Sequence, residues 1–198
     1  MNVFILNTGR CGSTSIIEAC RHISNFTAEH ESRSGLLGKE RFAFPENHIE
    51  ADNRLSWLLG RLDREYGDSA LYVHLWRAPE RVAESHVHRF SHGIMRAYSR
   101  GILRGLDREA DAYRVALDYC DTVTENIRLF LKDKSRSMEF QLEHAERDFR
   151  RMWAFIGAEG DLEAAVQTML QPHNPTRKNK RYRKYSRNWW RQRAGLID

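Results

Sequence analysis

The residues from Asn7 to Ser15 combine two glycines, one arginine and several hydroxyl groups directly after an apolar segment. Residues 3–6 have the composition of a buried strand, and a helical pattern begins at residue 13. At such a junction, glycine lets backbone N–H groups approach a ligand, and the helix N-terminus adds partial positive charge. The stretch therefore predicts an anion site with Arg10 as its cation. The alternative is an ordinary turn without a ligand.

Spacing separates this loop from three common phosphate-binding motifs. It lacks the lysine of the Gly-x4-Gly-Lys-Ser/Thr loop that binds nucleoside triphosphates. Gly12 is not followed by a glycine three positions on, as the Rossmann dinucleotide loop requires. Ile17 stands where a tyrosine phosphatase would carry its arginine after a nucleophilic Cys11. The loop therefore belongs to another kind of anion site.

A second polar group follows the apolar segment 70–76. Arg77 ends this segment, Pro79 suits the first turn of a helix, and Ser85 lies eight residues after Arg77. An arginine at a strand end and a serine two turns into the next helix can converge on one phosphate. Arginine supplies a bidentate charged fork and serine a neutral donor. The alternative is an arginine at the sheet edge and a serine on the surface.

Together these segments resemble the sulfotransferases that use 3′-phosphoadenosine 5′-phosphosulfate (PAPS), in their small bacterial and heparan-type branch. Arg10-Cys11-Gly12-Ser13-Thr14 resembles the family's 5′-phosphosulfate loop, and residues 71–85 resemble its 3′-phosphate site. Residues 138–157 are similar to its late strand, acidic turn and helix end. The resemblance implies a P-loop-like sulfotransferase fold, an α/β fold of three layers (α/β/α) around a central parallel sheet, in residues 1–176.

The resemblance also implies an activity and its residues. A sulfuryl group would move by in-line displacement from PAPS to a hydroxyl or amine, without a metal ion, leaving the 3′,5′-bisphosphate PAP. Arg10 would stabilise the departing phosphate. The donor would be bound by Arg10, Cys11, Gly12, Ser13, Thr14, Ser15, Arg77, Ser85, Arg177 and Lys178. The last two match a late Arg-Lys-Gly segment of the family, with Asn179 in place of the glycine.

The base that deprotonates the acceptor has several candidates. In this branch a glutamate just after the second strand takes the role, and residues 28–32 occupy that place. Glu31 is the first choice and Glu29 the second, because alternation along a strand places both on one face and His30 on the other. His30 or His48 would serve if the chain followed the cytosolic branch, which uses histidine. An exposed polar loop without a catalytic role is the alternative.

The C-terminal segment 177–198 is strongly basic, with nine Lys or Arg and no acid between Arg177 and Arg193. Three interpretations are open. The segment could fold over the nucleotide, bind nucleic acid or another anionic surface, or be a solvated and partly disordered terminus. We expect PAPS, PAP and an acceptor as partners rather than nucleic acid. No motif predicts the acceptor or the oligomeric state.

Composition bounds the class of protein. The 198 residues, 41% hydrophobic and 30% charged, indicate one soluble globular domain. No apolar run approaches the ~20 residues that span a bilayer, and no signal peptide is visible, so a cytoplasmic location is expected. The three cysteines, Cys11, Cys20 and Cys120, are too widely spaced for a disulfide framework or a zinc site. Cys11, at a helix start, is expected to have a lowered thiol pKa.

The elements that must position these residues alternate between strand and helix. Predicted strands cover residues 2–7, 25–29, 70–76 and 138–142. Predicted helices cover residues 13–23, 51–65, 79–90, 109–132, 144–156 and 161–170, the first with Ser13 or Thr14 as N-cap. Residues 32–48 are predicted to form a long functional loop. Such alternation predicts a parallel sheet covered on both faces.

Two other functions fit parts of the sequence. A nucleotide-dependent kinase on a divergent P-loop would need Mg²⁺ and a carboxylate at a strand end, whereas the segment 70–76 ends in Arg77. A non-enzymatic nucleic-acid-binding protein would depend on the basic segment and bind with steep salt dependence.

Overall fold

The computed structural model describes residues 1–107 and 109–171 of the chain. Within them, five strands form one parallel sheet in the order β2-β3-β1-β4-β5. The strands are β1 (Val3–Leu6), β2 (Thr27–His30), β3 (His48–Ala51), β4 (Leu71–Trp76) and β5 (Ser137–Gln141). The α-helices are α1 (Ser13–Cys20), α2 (Leu59–Tyr66), α3 (Pro79–Val87), α4 (Gly93–Ala97), α5 (Ala112–Leu131), α6 (Ala145–Ile156) and α7 (Leu162–Leu170).

The centre of the sheet is the core of the fold. All four residues of β1 and the first five of β4 are buried, which is typical of parallel strands covered on both faces. Right-handed crossovers place the β1–β2 connection and the β4–β5 connection on opposite faces. Accordingly, α1 packs against α7 and α7 against α6, while α3 packs against α5. The predicted fold class, three α/β/α layers around a parallel sheet, is confirmed.

The sequence prediction missed β3. His48 fell at the end of the predicted loop 32–48 and Ala51 at the start of the predicted helix 51–65, and the two residues between them were assigned to no element. His48 and Glu50 make half of the strand polar, although they are only 1% and 0% exposed. The four residues alternate between polar and apolar, but so short a run is a weak signal, and alternation predicts an exposed polar face rather than a buried one. The helix in this region is shorter than predicted and begins only at Leu59.

The described part of the chain ends beside the first turn of α1. The Ser15 hydroxyl donates a hydrogen bond to the Gln171 carbonyl (3.1 Å). The basic segment 177–198 lies outside the described residues, and with it the predicted donor contacts of Arg177 and Lys178. In the described ranges, no helix combines the length and apolar composition needed to cross a membrane.

Candidate active site

A cavity of about 780 Å³ opens at the carboxyl edge of the sheet. It is lined by the loops that follow β1, β2, β3 and β4. From β1 the chain crosses to β2 on one side, and from β4 it crosses to β5 on the other, so the strand order reverses between these two neighbours. Open parallel sheets bind ligands at such a switch point, and small-molecule sites span roughly 300–1,000 Å³. The cavity thus has the place and size of a ligand site.

The loop after β1 has an unusual backbone. Gly9, Arg10 and Gly12 have φ angles of 74°, 60° and 91°, all in the left-handed region. Glycine adopts this region freely, but for arginine it is strained, and such strain persists where the surroundings fix it. Cys11, between Arg10 and Gly12, does not have a positive φ, and such alternation of handedness can turn successive N–H groups toward one anion.

Substituting Gly12 with alanine is expected to lower the free energy of unfolding by at least about 1–2 kcal/mol, the strain of an L-residue in the left-handed region. The added Cβ would also meet Leu142 Cδ1 at 2.6 Å. Urea unfolding measures the change. Gly60→Ala is the matched control: Gly60 lies in α2 with open space around it, so this change is expected to raise stability by up to about 1 kcal/mol. Equal stability of Gly12→Ala and wild type would contradict the strained, closely packed conformation assigned to Gly12.

Three residues that were not predicted as site residues hold this loop in place: Asn7, His86 and Tyr119. The Asn7 side chain accepts a hydrogen bond from the Gly9 N–H (2.8 Å) and donates one to the Ile5 carbonyl (2.9 Å). The Thr8 carbonyl accepts from His86 Nε2 (3.1 Å) and from the Tyr119 hydroxyl (3.0 Å). Sequence reasoning missed His86 and Tyr119 because both are distant from the loop in the chain. The only local signal was a polar Asn directly after a buried strand.

Burial lowers the pKa of His86 to about 4, and the charges of Arg10 and Arg89 act in the same direction. Between pH 4 and 6.5 the unfolded chain therefore binds more protons at this residue than the folded protein, and stability rises with pH. We expect the residue to contribute roughly 3 kcal/mol of stability at pH 7 that is lost by pH 4. Urea unfolding across this range measures it.

The variant His86→Gln is expected to show a flatter dependence of stability on pH than wild type. His144→Gln, at an exposed position, is the control and should keep the wild-type slope. Parallel profiles for wild type and His86→Gln would show that His86 is not held neutral by burial.

Gly12, rather than the predicted Ser13 or Thr14, is the N-cap of α1. Among the described residues, no side chain caps this helix. The N–H groups of Ser13 and Thr14 have no acceptor within the helix, since the first helical hydrogen bond joins the Ile16 N–H to the Gly12 carbonyl. The first turn of α1 therefore presents N–H donors and the positive end of its dipole to the cavity.

The structure gives the hydroxyls and the thiol of this stretch different surroundings. Ser13, Thr14 and Ser15 line the cavity, although Ser15 is only 8% exposed. The Cys11 side chain is fully buried, with Sγ 3.6 Å from Asn7 Oδ1, and burial raises its thiol pKa to about 11. The expected lowering of that pKa is wrong, because the thiol points into the core. Cys11 does not line the cavity, so its predicted contact with the donor stays a prediction.

Four arginines of the described residues line the cavity, and Arg10, Arg77 and Arg89 lie on the side away from the Arg54–Glu31 ion pair. Arg10 Nε donates a hydrogen bond to Ser85 Oγ (2.9 Å), which joins the two sequence motifs directly. Burial lowers the pKa of Arg10, and the charges of Arg89 and Arg77 lower it further. In the described part of the chain, no carboxylate lies within 4.0 Å of the Arg77 or Arg89 guanidinium. Cations held together in this way favour an anionic ligand.

Arg89 is a site residue that the sequence prediction did not name. It lies four residues after Ser85, just beyond the end of α3. Residues at this spacing share one side of a helix, and this spacing was the signal that could have found it.

Of the candidate bases, Glu31 and His30 line the cavity. Glu31 has a left-handed φ of 54°, and its carboxylate forms an ion pair with Arg54 (2.8 Å). His30 Nε2 lies 3.0 Å from Ser13 Oγ. The expected shared face of Glu29 and Glu31 is not observed, because β2 ends at His30 and the left-handed turn redirects the next residue. Glu31 thus lies just after β2, and the alternation of side chains along that strand does not determine its direction.

Glu29 and His48 lie away from the cavity lining. Their side chains form a close group with Glu50, in which possible metal-ligating atoms lie within 4.8 Å of one another. Both ring nitrogens of His48 already have hydrogen-bond partners, Thr27 Oγ1 at 2.8 Å and Glu50 Oε2 at 3.1 Å. His48 and Glu50 therefore form a buried, hydrogen-bonded pair, whereas Glu29 lies beside them at an exposed position.

Arg54 connects Glu31 to the end of β3. Its N–H donates to Asp52 Oδ1 (2.8 Å), and its guanidinium lies 3.7 Å from the same carboxylate. Burial alone would lower the pKa of Arg54, but Glu31 and Asp52 raise it above its usual value. Asp52 is fully buried and also pairs with the buried guanidinium of Arg41. These contacts anchor the cation that holds the Glu31 carboxylate.

Among solved structures, the sulfotransferase domain from the curacin biosynthetic pathway is similar to this chain, with a TM-score of 0.62. The two share 18% sequence identity, and the match covers 87% of this chain and 77% of that domain. No protein-family model matches the chain, and no curated protein matches its sequence. The similarity shows that the chain has the sulfotransferase fold.

Proposed function

We propose that this chain is a sulfotransferase that moves the sulfuryl group of PAPS to a hydroxyl or amine acceptor. The observation that supports this best is the meeting of the uncapped first turn of α1 with Arg10, Arg77 and Ser85 in one cavity. PAPS carries two anionic groups, a 5′-phosphosulfate and a 3′-phosphate. A helix N-terminus suits the first, and an arginine with a hydroxyl suits the second.

In this proposal the donor spans the two motifs. The N–H groups and hydroxyls of Ser13 and Thr14 bind the phosphosulfate, and Arg77 with Ser85 binds the 3′-phosphate. Arg10 lies between them through its hydrogen bond to Ser85. Arg89 adds a further positive charge on the same side. The predicted contacts of Arg177 and Lys178 fall outside the described residues and stay predictions.

Glu31 takes the proton of the acceptor, whose oxygen or nitrogen forms a bond to sulfur. The bond between sulfur and the 5′-phosphate oxygen breaks, and its electron pair stays on that phosphate. Arg10 and the α1 N-terminus stabilise the negative charge that develops there. The products are the sulfated acceptor and PAP. Arg54 orients the Glu31 carboxylate for the proton transfer.

The structure places one carboxylate where the kinase alternative needs it, but the oxygens of that carboxylate already have other partners. Asp52 is a carboxylate at the end of β3, the position at which a kinase would bind Mg²⁺. It is fully buried, paired with Arg41 and hydrogen-bonded to the Arg54 N–H. These contacts occupy its oxygens, so the site favours transfer without a bound metal. The nucleic-acid alternative depends on residues 177–198, outside the described residues.

The test is an assay with PAPS that carries labelled sulfate. The acceptor panel contains a phenol, an aliphatic alcohol, a monosaccharide and a primary amine, and a parallel reaction replaces PAPS with ATP and Mg²⁺. We expect labelled sulfate on at least one acceptor and no phosphorylated product. Phosphorylation of an acceptor from ATP, with no transfer from PAPS, would overturn the proposal in favour of a kinase.

A further inference from the structure

Glu50 is a charged residue at a place where the fold would accept an apolar one. It lies in β3 with 0% exposure, between β1 and β2 in the sheet. Its Oε1 accepts the Ser32 N–H (2.9 Å), and its Oε2 accepts the Ser32 hydroxyl (2.6 Å) and His48 Nε2 (3.1 Å). Burying a carboxylate is costly unless donors compensate it, and two of these three donors belong to one residue. The carboxylate is thus built to hold Ser32.

Ser32 directly follows the candidate base. Glu31 is left-handed, and a non-glycine residue keeps such a conformation where its surroundings determine it on both sides. On one side, the Glu31 N–H donates to the Ala51 carbonyl (3.1 Å). On the other side, the two hydrogen bonds from Ser32 to Glu50 fix the chain. Both anchors lie in β3, the strand that the sequence prediction missed.

We propose that Glu50 is a positioning residue that acts through Ser32 to hold Glu31 where it removes the acceptor proton. This inference rests on the proposed function. Proton transfer needs the base within hydrogen-bond reach of the acceptor, and a misplacement of about 1 Å can cost about 10²-fold in rate. Arg54 aims the Glu31 carboxylate, while Glu50 and Ser32 set the backbone from which it extends.

The experiment compares Ser32→Ala, Ser32→Thr and the control Ser34→Ala, which changes an exposed serine of the same loop. Transfer from PAPS is measured with the acceptor that the panel identifies, and PAP affinity is measured by calorimetry. We expect Ser32→Ala to lower kcat about tenfold or more, with the KM for PAPS and the PAP affinity unchanged. Ser32→Thr keeps both donors and should recover most of the wild-type kcat, and Ser34→Ala should match wild type.

A double variant separates positioning from general damage. If Ser32 acts only through Glu31, then Ser32→Ala should have no further effect on kcat in a Glu31→Gln background. An equal loss in both backgrounds, or a wild-type kcat for Ser32→Ala, would overturn the positioning role and leave the proposed function intact. A wild-type chain that transfers no sulfuryl group to the panel would overturn both.

Discussion

Replacing Arg10 with alanine is expected to lower kcat for sulfuryl transfer by roughly 10²- to 10³-fold, the usual loss when one preorganised donor to developing charge is removed. Arg10 lies in the loop after β1, is held by Ser85, and is flanked by Arg77 and Arg89. Its strained backbone aims the side chain before the donor binds. The measurement is the initial rate of transfer from labelled PAPS at saturating donor.

Two variants make this result specific. Arg10→Lys keeps the charge but loses the planar fork, so we expect an intermediate kcat. Arg81→Ala removes an exposed arginine of α3 outside the cavity lining and is expected to leave kcat unchanged. If Arg10→Ala and Arg81→Ala had the same kcat as wild type, the role of Arg10 in stabilising the leaving phosphate would be wrong.

Replacing Glu31 with glutamine is expected to lower kcat by roughly 10²- to 10⁴-fold, the range that general base catalysis contributes. The amide has almost the size of the carboxylate but cannot take a proton. PAP affinity should stay at the wild-type value, because the proposed donor contacts come from the loops after β1 and β4. Rates of transfer at saturating PAPS and calorimetry with PAP give the two quantities.

The other candidate bases supply the comparison. Glu29→Gln alters a residue that lies with His48 and Glu50, away from the cavity lining, and a smaller loss is expected. His30→Gln alters a residue that lines the cavity beside Ser13. A larger loss in His30→Gln than in Glu31→Gln would transfer the role of base to the histidine.

The structure holds three non-glycine residues with positive φ in its described ranges: Arg10, Glu31 and Asn47. Two of them line the cavity and carry the proposed chemistry. Strained backbone persists at functional sites when the surrounding contacts fix it. The hydrogen bonds of Asn7 and of the Thr8 carbonyl fix the loop that carries Arg10. Contacts with β3 fix Glu31.

The parts of the site that the sequence predicted depend on patterns among residues close together in the chain. Arg10 and Arg77 each follow a strong apolar run, and parallel strands bring their carboxyl ends to one edge, so two local patterns sufficed to place them together. The fold class followed from the same alternation of strand and helix. Gly12 was named as part of the anion loop, but its left-handed conformation and its place as N-cap were not predicted.

What the sequence could not show depends on pairing between distant segments. A short strand with a buried Glu50 has no apolar signature, and without β3 neither the anchor of Ser32 nor the Asp52–Arg54 support of Glu31 could be placed. The His86 and Tyr119 contacts to the Thr8 carbonyl likewise arise only when the α3–α5 layer packs against the sheet. The prediction that Glu29 and Glu31 share one face was wrong because it required β2 to continue through Glu31, whereas β2 ends at His30.

Calorimetric titration of the full chain with PAP probes the proposed donor site without knowledge of the acceptor. Wild type is expected to bind PAP saturably, and to bind adenosine 5′-phosphate, which lacks the 3′-phosphate, more weakly. In Arg77→Ala the difference between the two ligands should largely vanish, because the charged contact to the 3′-phosphate is gone. A folded wild-type chain that binds neither ligand, or binds both equally, would contradict the assignment of this cavity to PAPS.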